Sequence, residues 1–288
     1  MDEPKLSLKC PVASYIWNVP YYSVDSTSLF DFCARNGVTQ LYLAIHDRIT
    51  NASYINWIKT CNAHGVEAIA LVGDGNWVFP QGRSHYLNTM DRLDTINEMC
   101  KDGPKFKAVH FDVQPYVAPI LHRYKIENYE PLLVNFIKEV KQRLETRQLR
   151  LEWDIPAWFT GRYDEENMCS LAETVFRLCD VVGVMAYRDS ASDQLDLAMP
   201  HTIYAKKYNK VLIIGCETMK LDENQRPDGN CYISYFEEGK RYLYHSLEMM
   251  YERLNPIHSQ IGFAIHDMPR WMELQSDLLP EFKLNINN

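Results

Sequence analysis

The 288-residue sequence contains no Cys-x-x-Cys pair and no cluster of Cys with His, so neither a cysteine zinc site nor a dithiol redox centre is encoded. Its eight cysteines lie far apart, and Cys33, Cys61, Cys179 and Cys216 fall in apparent helices or strands, where buried reduced thiols are expected and a disulfide framework is not. No apolar run is long enough to cross a bilayer, and residues 1–20 lack a charged segment followed by an apolar one. Export and membrane insertion are therefore not expected. The expected location is the cytoplasm, or outside the cell if a signal peptide has been removed. Acidic residues outnumber basic ones, 38 to 30, and no basic stripe interleaves with aromatics, which argues against a nucleic-acid surface. No glycine-rich phosphate loop follows any strand candidate, so a dinucleotide-binding sheet is disfavoured and no cofactor is expected. There is also no linker or low-complexity block. With 46% hydrophobic and 24% charged residues, the composition is that of an ordinary globular chain, read as one domain over residues 1–288.

What is present is a recurrence. Eight short apolar segments, "VASYIWNV", "TQLYLAIH", "VEAIALVGD", "KAVHFDVQ", "LRLEWDIP", "VVGVMAY", "KVLIIGCE" and "IGFAIHD", alternate with helical stretches. The first intervening helix starts at a Ser/Thr cap and stops at Gly37; the second is expected to be capped at Ser53 and stopped at Gly65. Later connections, such as "ENYEPLLVNFIKEVKQRLE", "NMCSLAETVFRLC" and "FEEGKRYLYHSLEMMYERL", carry apolar residues at helical spacing. Eight strands alternating with helices predict an α/β fold, a single (β/α)8 TIM barrel. If the polar strand tips point inward, the same parity places Ala44, Ala70, Gly183, Gly215 and Ala264 at the crowded barrel centre.

Chemistry in such barrels gathers at the C-terminal strand ends. Those ends carry Trp17, His46, Asp74, Asp112 with Gln114, Asp154, Tyr187, Glu217 and His266. One acid after a strand is usually a helix cap, but Asp112, Asp154 and Glu217 together share the parity of core positions, where unpaired carboxylates are costly. Trp17, Tyr21, Tyr22, Trp77, Phe79, Tyr116, Trp158 and Trp271 crowd the same end. Rings beside carboxylates suit a sugar, whose C–H faces lie on aromatics while its hydroxyls bond to acids and imidazoles. The expected partner is thus a small-molecule or oligosaccharide substrate. The expected contacts are Trp17, Asp74, Trp77, His110, Tyr116, Trp158, Arg188, Asp189, His266, Asp267 and Trp271, with Arg188 and Asp189 forming an ion pair that shapes the mouth or binding an anionic substituent. Asp112 paired with Asp154, or either paired with Glu217, can divide acid and base work across a glycosidic bond.

"FDVQ" on the fourth strand and "MAY" on the sixth resemble the paired signatures of glycoside hydrolase family 18, the chitinase-like barrels. That resemblance implies that Asp112 orients the substrate's acetamido group, Tyr187 hydrogen-bonds it, position 114 is the general acid, and the N-acetyl oxygen is the nucleophile. The family's longer acidic series is absent, since Ala108 and His110 stand in its place. "HFDVQP", "DIPAW", "MAYRD", "GCET" and "AIHD", spread over strands four to eight, more closely resemble a set of bacterial glycosidase-like barrels bearing His-x-Asp-Val-Glu-Pro. Both resemblances expect Glu where Gln114 stands, and an amide has no titratable proton to give. Three readings stay open: an engineered Glu→Gln change, a natural non-catalytic carbohydrate-binding barrel, or an acid at Asp154 or Glu217 with Gln114 positioning substrate. A metal-dependent hydrolase using His110, Asp112, Glu217, His266 and Asp267 is the remaining alternative, though the first strand lacks the His-x-His of such barrels.

Overall fold

The computed structural model describes residues 3–17, 26–124, 126–221 and 232–277. Eight parallel strands close into a barrel: β1 (Val12–Ile16), β2 (Gln40–Ala44), β3 (Glu67–Val72), β4 (Ala108–Phe111), β5 (Arg150–Pro156), β6 (Val181–Met185), β7 (Val211–Glu217) and β8 (Ile261–His266). Each strand pairs with its neighbour in sequence, and the ring closes where Ser14 of β1 lies opposite Ile265 of β8. All eight apolar segments of the sequence form these strands.

The connections are α1 (Thr27–Arg35), α2 (Asn51–Ala63), α3 (Arg83–Met99), α4 (Pro119–Tyr124), α5 (Glu130–Glu145), α6 (Leu171–Leu178), α7 (Ala191–Tyr208) and α8 (Gly239–Leu254), with α9 (Met268–Glu273) after the last strand. Gly37 and Gly65 take φ of 63° and 72°, the left-handed conformation that ends a helix at little cost to glycine. The cap of α2 is Thr50, whose hydroxyl accepts from the Ser53 N–H, so Ser53 sits inside the first turn and is not the cap expected from the sequence. The long α7 has Pro200 in its interior, which weakens the helical pattern of that connection. A two-stranded hairpin, Tyr163–Asp164 with Cys169–Ser170, precedes α6.

Two apolar cores result. Leu, Val, Ile and Phe on the outward strand faces pack under the helices, while Ala13, Tyr15, Tyr42, Ala44, Ile69, Leu71, Ala108, Val181, Ile213 and Ala264 fill the barrel. Ala44 and Ala264 lie inside as expected. Gly183 faces Asp154 and Gly215 faces Tyr187, so both also occupy inward positions. Ala70 does not: Ile69 and Leu71 fill the interior and Ala70 packs under the helices. The expectation took Asp74 as an inward tip, which shifted the parity of β3 by one residue. The seven described cysteines are free thiols, and no described helix is long and apolar enough to cross a membrane.

Candidate active site

Alternation along β4 and β5 carries two ladders of polar groups up the barrel interior: His110 and Asp112 from one strand, Glu152 and Asp154 from the next. His110 is fully buried. Its Nδ1 lies 3.1 Å from Glu152 Oε2, and its Nε2 lies 2.8 Å from Asp154 Oδ2, close in charge contact but without hydrogen-bond alignment. The ring stacks on Tyr42 with centroids 4.1 Å apart. Tyr15 donates its hydroxyl to the same Asp154 Oδ2 at 2.9 Å. Burial alone would push the imidazole down, but the flanking Asp154 and Glu152 carboxylates overcome this and push it up.

Above this layer sits Asp112. Burial, then the neighbouring Asp154, raise its carboxyl to about 6, while the Gln114 amide and the His110 and His266 rings pull the other way. Gln114 donates to Asp112 Oδ1 at 2.7 Å and accepts from the Tyr116 hydroxyl at 3.0 Å, so both ends of the amide are engaged. The site depends on close packing beneath it. A Cβ on Gly183 would stand 1.9 Å from Asp154 Oδ1, and one on Gly73 1.9 Å from the Asp112 carbonyl oxygen.

Across the mouth, Glu217 accepts from the backbone N–H groups of Thr218 and Met219, both at 2.8 Å, and its other oxygen lies 2.9 Å from His266 Nδ1. Trp17 donates its indole N–H to His266 Nε2 at 3.0 Å. Burial lowers the His266 ring, but the Glu217 hydrogen bond and the charges of Glu217, Asp267 and Asp112 together more than offset it, and the net shift is upward. Tyr187 stands against His266 with centroids 6.3 Å apart, and its hydroxyl makes no hydrogen bond among the described residues. Trp158, half exposed, meets the Tyr116 ring edge-on at 4.9 Å and forms a ledge beside the mouth.

The structure thus brings together Trp17, Asp112, Gln114, Tyr116, Asp154, Trp158, Tyr187, Glu217 and His266. Seven other expected contacts belong elsewhere. His110 lies fully enclosed beneath Asp154 and presents no surface to a ligand. Trp271 is fully buried, donating to the Tyr244 hydroxyl and packing on Phe32, so it is core and not a stacking platform. Trp77 is 2% exposed and bonds His85, leaving an edge on a cavity of about 300 Å3 shared with Trp17 and His46. Asp74 caps a 3-10 turn through the Asn76 N–H, and Asp267 caps α9 through the Arg270 N–H. Arg188 donates to the Tyr187 carbonyl and forms no ion pair with Asp189, whose own N–H bonds Tyr232; burial raises the Asp189 carboxyl. Tyr21 and Tyr22 lie outside the described residues. The five-residue metal set does not converge, and among the described residues no group of three or more His, Cys, Asp or Glu is placed to hold a metal ion.

Sequence reasoning missed Tyr15, Tyr42, Arg150 and Glu152. Three of them were legible: Tyr15 stands two residues before Trp17, and Arg150 and Glu152 stand four and two before Asp154, on the same faces.

No protein-family model matches the chain, and no curated protein does. Among solved structures, the chain is similar to a chitinase from Bacteroides thetaiotaomicron, at 10% identity and a TM-score of 0.55 over 95% of this chain and 92% of that one. It is also similar to an active-site mutant of Rhizomucor miehei beta-1,3-glucanosyltransferase in complex with laminaritriose, at 12% identity and a TM-score of 0.51 over 88% of this chain and 86% of that one. At such identities the likeness is one of fold, and the fold it shows is the single (β/α)8 barrel.

Proposed function

We propose that this chain is a glycoside hydrolase-like, carbohydrate-active barrel in which Asp112 is the proton-donating carboxyl. The observation that carries the reading is the pairing of two unlike carboxyls at the mouth: Asp112, raised to about 6 by burial and by Asp154, beside an Asp154 that accepts from the Tyr15 hydroxyl and faces the His110 ring. Environments that push paired acids apart divide acid and base roles between them, and an acid titrating near neutrality is suited to protonating a leaving oxygen. Glu217, which accepts two N–H groups and faces an imidazole, stands ready as the second carboxylate. Trp17 and Trp158 supply apolar faces for sugar rings, and the Tyr187 hydroxyl, without a hydrogen bond among the described residues, supplies a donor. N-acetylhexosamine-containing glycosides are the preferred substrates, from the resemblance around Asp112 and Tyr187; the chitinase and glucanosyltransferase folds fit a carbohydrate but do not choose among them.

A second reading, sugar binding without cleavage, is favoured by Gln114. At the position where the resembling barrels carry their acid, this chain holds an amide already engaged at both ends. A panel of aryl and oligosaccharide glycosides, read by calorimetry and by product analysis, separates the two. Turnover that is lost in Asp112→Asn supports hydrolysis. Binding with no product supports the second reading, and neither binding nor turnover overturns both.

A further inference from the structure

Below the mouth, the polar side chains continue down the barrel. Gln40 at the start of β2 donates to Glu67 at the start of β3, at 3.1 Å. Arg150, first residue of β5, reaches Glu67 at 3.0 Å and Glu152 at 2.8 Å. Glu152 meets His110, and His110 meets Asp154. Charges therefore alternate from the solvent-facing base of the barrel to its catalytic end: Glu67, Arg150, Glu152, His110, Asp154. A neutral imidazole bears one N–H and so can donate to only one neighbour, whereas both ring nitrogens here face carboxylate oxygens. The Tyr42 face beneath the ring adds a further site of attraction for a cation.

We propose that His110 is a positioning residue held as an imidazolium between Glu152 and Asp154, which keeps the negative charge of the mouth pair on Asp154 and leaves Asp112 to take up and return the proton. This rests on the acid role given to Asp112 above and adds the group that selects it. His110 touches no ligand; it acts through Asp154. The groups facing Asp112 are Asp154 from β5, His266 from β8, Tyr187 from β6, and His110, Gln114 and Tyr116 from β4 and its loop. Those facing His110 are Glu152 and Asp154, with the rings of Tyr15 and Tyr42. Asp154 raises the Asp112 carboxyl; two carboxyls that interact in this way hold one proton between them at intermediate pH, and a fixed cation beside one of them decides where it goes.

The test is NMR on the full chain with no sugar present. In the unmodified protein, the 15N shifts of both His110 ring nitrogens should show imidazolium at about pH 8, where an unperturbed histidine is neutral. The carboxyl 13C of Asp112 should titrate near 6. His110→Asn should move the Asp112 titration up by about one pH unit or more. Should that variant not fold, Glu152→Gln serves, lowering the pH at which His110 loses its proton by a similar amount. A neutral His110 ring at about pH 7 overturns the proposal, as does protonation of Asp154 before Asp112, or an Asp112 titration unchanged in His110→Asn. Because no measurement involves a glycoside, lack of turnover bears on the functional reading alone.

Discussion

Gln114 and Asp112 are joined by a 2.7 Å hydrogen bond in which the amide donates, so the residue that lacks a titratable proton steadies the one that has it. The bond stabilises the charged form of Asp112, against the larger effect of burial. Position 114 is therefore part of the surroundings of Asp112 even though its amide has no titratable proton of its own.

Replacing Gln114 by Glu puts a third carboxyl beside Asp112 and Asp154. Like charges so placed cannot all ionise, and the new acid should hold a proton at neutral pH. If the chain is a hydrolase weakened by its amide, kcat should rise roughly 100-fold, the scale of general acid catalysis. An unchanged or lower kcat on the best glycoside, with a proton uptake that does shift, would show that Gln114 is the working residue in this chain.

Asp112 also links function to stability. A carboxyl raised in the fold from its ordinary 3.8 to about 6 favours folding in its protonated state. That contribution is fully present below the unfolded value and is lost as pH rises through the folded one, here across about pH 4 to 6, and is on the order of 3 kcal/mol. Asp112→Asn keeps an acceptor for Gln114 and removes the charge, so urea unfolding at about pH 7.5 should show a more stable protein with a flatter pH profile over that window. Equal stability of the two proteins at both ends of the window would refute the account. His110, shifted upward, acts with the same sign at higher pH, its contribution being lost only as pH climbs well past neutrality.

Trp158 and Trp271 separate ligand surface from core. Trp158 is 47% exposed and Trp271 is fully buried. Trp158→Ala should cost under about 1 kcal/mol of stability and weaken sugar binding roughly 10-fold. Trp271→Ala should cost about 3–5 kcal/mol by leaving a cavity between α1 and α8. Thermal unfolding and calorimetry together read both, and a large stability loss from Trp158→Ala would remove it from the ledge assigned here.

Gly183→Ala tests the packing of the acid pair. The added methyl would occupy the place of Asp154 Oδ1, so the carboxylate must turn away from His110 and Tyr15. About 1–3 kcal/mol of destabilisation is expected, typical of overpacking, together with a changed Asp112 titration. A stability loss with the titration intact would mean that the strand yields and Asp154 does not.

The barrel and its mouth were readable because strand alternation is local. A period of two, counted along "VHFDVQ", "LEWDIP" and "LIIGCE", is enough to place Asp112, Asp154 and Glu217 on one inward surface, and glycines after α1 and α2 mark where helices stop. The same counting went astray at Asp74, because a residue just past a strand end no longer obeys the pleat and is free to cap a turn. Aromatic identity was equally ambiguous: Trp77 and Trp158 both follow strands, yet one turns into the helix layer and the other out to solvent.

The allocation of charge was decided only by the tertiary structure. Tyr15 reaches Asp154 across 139 residues of sequence and His110 reaches Glu152 across 42. Which carboxyl keeps its proton depends on burial and on such distances, which vary over fractions of an ångström and have no periodicity to read. The sequence by itself determined where the acids stand. Barrel closure determined that His110 lies beneath them, with Glu152 at one ring nitrogen and Asp154 at the other.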